Sequence, residues 1–162
     1  TLRMEHLDGS AHPVWSLVTG GVSSLAERET LYAYFQQLPV AVAIFRGERQ
    51  VFEFINDAYA ELIGRQPSAV RGQPLLEVFP ELRGTPIEAI HHEVWASGQP
   101  REVQEHPVSF RRNGVTYEGF FNTKFQPLRT ADGGTEGVIA VGYEVTELVN
   151  SKQGLVTKNH QF

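Results

Sequence analysis

Phe54-Ile-Asn-Asp-Ala-Tyr-Ala-Glu-Leu-Ile-Gly64 decides the fold. An apolar strand ends at Asn56 and a short helix begins at once. Asn56 and Asp57 carry side chains that bond nearby backbone N–H groups, which suits a strand-to-helix corner. Ala58, Leu62 and Ile63 give the helix one buried side. Gly64 fits the left-handed position that commonly ends a helix.

Behind this corner, Val51 to Ile55 read as a strand, Arg46 to Gln50 as a polar turn containing Gly47, and Val40 to Phe45 as an earlier strand. That earlier strand is apolar on both faces, so both faces are expected to be covered. Before it, Ser24-Leu-Ala-Glu27 fits a capping box. The helix it opens places Leu31, Tyr34, Phe35 and Leu38 on one face, and Pro39 stops it. Residues 1–25 form an N-terminal extension whose apolar positions follow no period. It reads equally as the tail of an upstream domain or as a packed arm.

Ahead of the corner, Ser68 to Gly72 and Leu75 to Leu82 are too short for independent helices and read as single turns held by packing. Pro86 suits the first residue of a longer helix through Ser97, stopped by Gly98. Ile87, Ile90, His91 and Val94 share one face of it. Val103 to Arg112 and Val115 to Leu128 flank Asn113-Gly114, a strong hairpin signal. Gly137 to Val145, rich in Val and Ile, is the last strand. Two strands, several helices and three strands make an α+β pattern.

The chain has 162 residues, 41% hydrophobic and 20% charged, which fits one domain with extensions. The net charge is −5 and no stripe of Lys and Arg forms, so no nucleic-acid partner is expected. There are no cysteines, which excludes disulfides, thiolate metal sites and Cys nucleophiles. No apolar run approaches the ~20 residues of a membrane span, and no secretory leader is visible. A cytoplasmic setting without membrane contact is the expectation.

The element order and the residues that mark it resemble the PAS domain, a sensory module of bacterial signalling proteins such as two-component histidine kinases. Leu38-Pro39, the series Asn56, Ala58, Leu62 and Gly64, then Gly72, Phe79 and Pro80 match its recurrent positions, over about residues 26–150. Glu144-Val145-Thr146-Glu147 resembles the family's exit motif, with Glu144 where Asp is usual. The resemblance implies a five-stranded antiparallel sheet with helices over one face, Val40–Phe45 central in it, and an N-terminal flanking helix. It implies an interior pocket between sheet and helices, with Phe54, Leu62, Phe79, Ile90, His91, Val94, Trp95, Phe121 and Phe125 as candidate lining residues. Signal would leave through Glu144 and Thr146 into a linker beginning at 151–162 and on to an output domain. It also implies homodimers paired through the stripe Leu31, Tyr34, Phe35 and Leu38.

His91 projects from an apolar helix face, where a polar atom needs a partner. In haem-binding relatives a His on the corresponding helix ligates iron, and the bland alternative is a core His bonded to its surroundings. Trp95, one turn on, suits stacking on a non-covalent flavin or simply capping the core. The covalent cysteinyl-flavin chemistry of light-sensing relatives is excluded by the missing thiol. His92 points about 100° away toward solvent, His6 and His12 lie in the extension, and no metal constellation forms. Glu102 and Glu105, three apart on a strand, are expected on opposite sides. No nucleophile elbow, phosphate loop or kinase motif is present, so no enzyme is expected in this stretch. The two readings carried forward are a small-molecule sensor and a ligand-free module for dimerisation or protein docking.

Overall fold

The strand that ends at Ile55 turns into a helix at Asn56, and this joint organises both sides of the sheet. The computed structural model describes residues 25–160, with side chains over 27–154. Helix α1 (Leu25–Gln36) is followed by β1 (Ala41–Arg46), β2 (Val51–Ile55) and α2 (Asp57–Ile63). Two single-turn helices, α3 (Pro67–Val70) and α4 (Leu75–Val78), and a 3-10 turn at Pro80–Leu82 lead to α5 (Pro86–Ser97). Strands β3 (Arg101–Arg112), β4 (Val115–Arg129) and β5 (Thr135–Glu144) precede the final helix α6 (Thr146–His160). The Ser24 half of the expected capping box, and His6 and His12, lie outside the described residues.

All five strands form one antiparallel sheet in the order β2-β1-β5-β4-β3. Strand β1 therefore sits between the second strand and the last, as the family resemblance implies, and both of its apolar faces are covered. Its even positions Val42 and Ile44 face α1, and its odd positions Ala43 and Phe45 face the other helices. The β3–β4 hairpin turns at Asn113 and Gly114, both with positive φ, the geometry that makes Asn-Gly a hairpin signal.

Asn56 is fully buried and uses its whole hydrogen-bonding capacity. Its Oδ1 accepts from the N–H of Tyr59 at 3.0 Å, capping α2, and from that of Val42 at 2.9 Å. Its Nδ2 donates to the carbonyls of Phe35 at 3.0 Å and Val40 at 2.8 Å. One side chain thus ties the end of α1, the start of β1 and the start of α2. Gly64 closes α2 with φ 67°, which a side chain would strain.

Two clusters of buried side chains lie on opposite faces of the sheet. The outer one joins Leu31 and Phe35 of α1 to Val42, Ile44, Phe54, Leu128 and Ile139. The inner one lies under α2–α5 and is larger. A bulge separates them in β2: Ile44 pairs with Phe54 but Phe45 pairs with Phe52, so Glu53 is surplus. The bulge puts Phe52 inward and Phe54 outward, although simple alternation would place them together. Phe54, expected in the pocket, is instead part of the outer cluster, stacked on Tyr32 with ring centres 4.4 Å apart.

The dimer stripe is likewise largely consumed within the chain. Leu31 and Phe35 are buried, Leu38 packs at the cluster's margin, and Tyr34 remains half exposed. Polar contacts hold α1 at its other end. Arg46 grips Glu53 with two hydrogen bonds at 2.7 and 3.0 Å, the Tyr32 hydroxyl donates to the same carboxylate, and Arg28 stands 3.5 Å away. Burial alone would raise the Glu53 carboxyl, but the hydrogen bonds from Arg46 and Tyr32 outweigh it and hold it below its usual range.

A second bulge, in β3 between Val103 and His106, corrects the expectation for Glu102 and Glu105. Glu105 adopts a positive φ there and pairs with Lys152 of α6, so strict alternation does not govern the two carboxylates. Among the described residues no helix is long and apolar enough to cross a membrane.

Candidate functional site

The inner face of the sheet is floored by small side chains. Ala41, Gly142 and Thr123 lie side by side across β1, β5 and β4, and Ala140 follows between Ala43 and Phe125. Gly142 has no room to be anything larger, since a Cβ there would meet Thr123 Oγ1 at 2.7 Å and the Asn122 carbonyl at 2.9 Å. Large rings surround this floor, Phe45, Phe110 and Phe125 on the sheet itself and Phe79 and His91 from the helical side. Phe79 meets Phe110 edge-on at 5.7 Å, and His91 of α5 stands edge-on between Phe45 at 4.6 Å and Phe125 at 5.1 Å. Rings that wedge against one another cannot sink to a floor of Ala and Gly. The result is a cavity of about 110 Å³.

Its lining is apolar except for Tyr59, His91 and Thr123, and no Asp, Glu, Lys or Arg reaches it. His91 is only 5% exposed. Burial depresses its pKa to about 4, so the ring is neutral at pH 7. Burial also raises the Tyr59 hydroxyl, which stays protonated. His91 Nδ1 lies 2.9 Å from Gln50 Oε1, and Gln50 Nε2 donates to the Gly47 carbonyl at 2.9 Å. A carbonyl only accepts, so the Gln50 amide is fixed with its nitrogen toward Gly47 and its oxygen toward His91. The His91 proton therefore sits on Nδ1.

Of the residues expected to line a pocket, Leu62, Phe79, His91, Phe121 and Phe125 do so. Ile90 and Val94 are buried in the inner cluster beside the cavity but do not line it, and Trp95 packs partly buried against that cluster with its Nε1 shut away unpartnered. Phe54 lies on the other face. His92 is exposed, as its angular offset on the helix predicts. Residues not anticipated include Phe45, Tyr59, Phe110, Thr123 and the second-layer Gln50. Phe45 was within reach, since it shares the inward period of Ala41 and Ala43. Thr123 alternates with Phe121 and Phe125, and its polarity disguises it. Gln50 carries no local signal at all, sitting in a polar turn yet only 4% exposed.

Haem and flavin do not fit this cavity. Drug-sized ligands occupy roughly 300–1,000 Å³, several times the 110 Å³ here. Among the described residues no cluster of three or more His, Cys, Asp or Glu could hold a metal ion.

At the far end of the sheet, β5 runs into α6 through Glu144 and Thr146. The Thr146 hydroxyl accepts from the Phe120 N–H at 3.0 Å and donates to Glu144 Oε2 at 2.5 Å. The Tyr117 hydroxyl donates to the same carboxylate oxygen, and the Val145 N–H bonds the Phe120 carbonyl at 2.7 Å. The extra methylene of Glu over Asp carries the carboxylate to Tyr117 on β4. Gly119 leaves space for it, because a Cβ there would stand 3.1 Å from that same oxygen.

A family model described as the PAS fold matches residues 35–150. The chain belongs to the PAS fold family. Solved structures bear the same fold. An RNA-binding Light-Oxygen-Voltage receptor superposes on this PAS domain with a TM-score of 0.66 and 18% identity, covering 86% of this chain and 39% of that one. VqmA bound to DPO gives 0.57 and 22%, over 72% of this chain and 57% of that one. A sensory box sensor histidine kinase from Vibrio cholerae gives 0.52 and 20%, over 75% and 94%. This PAS domain therefore spans well under two thirds of the first two proteins' lengths.

Proposed function

We propose that this PAS domain senses a small molecule bound in the inner-face cavity and relays occupancy through Glu144 and Thr146 into α6. The observation that carries the reading is the floor of Ala41, Ala140 and Gly142 set among large rings. Close packing is the rule in protein interiors, and here the sequence holds a volume open at the centre of the core. Strand β4 supports the relay, because Phe121, Thr123 and Phe125 line the cavity while Phe120 bonds Thr146. A ligand pressing on β4 acts on the same strand that anchors the exit helix. The domain performs no catalysis in this reading; its output lies in a segment joined to α6, for which a histidine kinase is the favoured class. The presence of a sensor histidine kinase among the structures of this fold motivates that choice.

A docking or dimerisation module without ligand is the second reading. It draws on Leu148, 54% exposed on α6 beside the buried Val149, and on Tyr34 of α1, 49% exposed. Native mass spectrometry of the purified protein, followed by hydrogen exchange with and without added phenol, separates the two. The sensor reading expects a bound small molecule, and slower exchange at Phe120, Val145 and the first turn of α6. Unchanged exchange in those amides at saturating phenol, with an empty dimer in the spectrometer, would establish the docking module instead.

A further inference from the structure

The proton on His91 is committed outward, and this fixes what the cavity can recognise. Nδ1 donates to Gln50, which itself lies behind the lining. Nε2 is then a lone-pair acceptor, and it makes no hydrogen bond among the described residues. Nor does it belong to the polar atoms sealed away without a partner, which are Arg28 Nε and Trp95 Nε1. His91 lines the cavity and is otherwise almost wholly covered. The other two polar groups, Tyr59 and Thr123, are hydroxyls that rotate to donate or accept and so impose no choice. His91 does impose one.

Size and charge narrow the occupant further. A cavity of about 150 Å³ lined by Leu, Ile and Phe holds benzene, and the cavity here is about 110 Å³, so it has room for no more than one ring. No charged side chain lines the space, so an ionised ligand would be buried without a counter-charge at a cost of several kcal/mol. The edges and faces of Phe45, Phe79 and Phe125 suit a flat partner. Resting on the sensor reading, we propose that the cavity takes a neutral single-ring aromatic compound whose hydroxyl or ring N–H donates one hydrogen bond to His91 Nε2.

The test uses phenol and toluene, matched in shape and differing in the donor, with benzoate as the charged control. In a wholly apolar cavity phenol binds more weakly than toluene, because its hydroxyl loses water and gains nothing. In the wild-type protein phenol is expected to bind at least as tightly as toluene, and benzoate not to bind. His91→Phe should leave toluene within about threefold and weaken phenol by about tenfold, one lost hydrogen bond in a dry site. A second measurement needs no variant. In protein labelled with ¹⁵N-histidine, the His91 Nε2 signal should be that of an unprotonated nitrogen, and should move with phenol but not with toluene. Saturable toluene binding with no phenol advantage over His91→Phe, or a proton found on Nε2, overturns this inference and leaves the sensor reading standing. Failure of every ring to bind overturns both.

Discussion

The two faces of this sheet bury comparable kinds of side chain and reach opposite ends. On the outer face α1 lies flat, Tyr32 stacks on Phe54, Phe35 leans on the same ring at 6.1 Å, and a carboxylate-guanidinium cluster fixes the helix. On the inner face the rings meet edge to face around Ala and Gly and a space stays open. Hydrophobicity alone does not decide whether a face becomes a seal or a receptacle. The decision lies in where the small residues sit relative to the large ones.

Three perturbations sharpen that contrast. The largest effect is expected from Phe35→Ala, which removes a fully buried ring from the seal. It should cost about 4 kcal/mol of stability while leaving phenol affinity within about twofold, as read by urea titration and ligand titration on the same sample. An affinity loss as great as the stability loss would show that the faces are not separable.

Next comes acid. His91 titrates near pH 4 when folded against 6.5 unfolded, because burial penalises its charged form. The unfolded chain binds that proton first, so stability is complete above pH 6.5 and is lost as pH falls toward 4. The loss from this group is about 3 kcal/mol. Glu53, with its lowered pKa, adds its own acid sensitivity further down. The difference in urea stability between wild type and His91→Phe isolates His91, and parallel curves between pH 6.5 and 4 would refute its buried, neutral state.

The smallest stability change belongs to Ala140→Leu, which fills the receptacle from its floor. Stability should move by only about 1 kcal/mol, since added contacts offset added crowding, whereas toluene binding should fall by more than about tenfold. Retained binding would place the ligand outside the inner-face cavity.

Much of this architecture was legible before any coordinates. The Asn56 corner, the Asn113-Gly114 hairpin and the Pro86-to-Gly98 helix follow from local rules of capping, periodicity and turn chemistry, and the central β1 from the family resemblance. Five of the nine pocket candidates, Leu62, Phe79, His91, Phe121 and Phe125, line the cavity. What escaped was non-local. Phe54 changes face because β2 carries one more residue than its partner, and nothing within Val51–Ile55 announces that. Gln50 is buried because α5 brings His91 over the turn, a contact across forty-one positions of chain. Trp95 and Ile90 share a helix with His91 but do not reach the cavity that Ile87 and His91 line. Sequence patterns identify a buried side; which atoms of that side stop short of their neighbours is set by the assembled whole.

Glu53 has a further consequence for how this interior can change over time. As the surplus residue of β2, it sets the strand's frame, much as a single nucleotide sets the frame of a codon string. Flattening the bulge with Glu53 still in the strand would restore strict alternation and bring Phe52 and Phe54 onto one side, whereas a chain lacking Glu53 would leave each ring on its present face. Substitutions can retune this hollow one contact at a time, but a one-residue slip of pairing in these five residues would trade one face for the other in a single step.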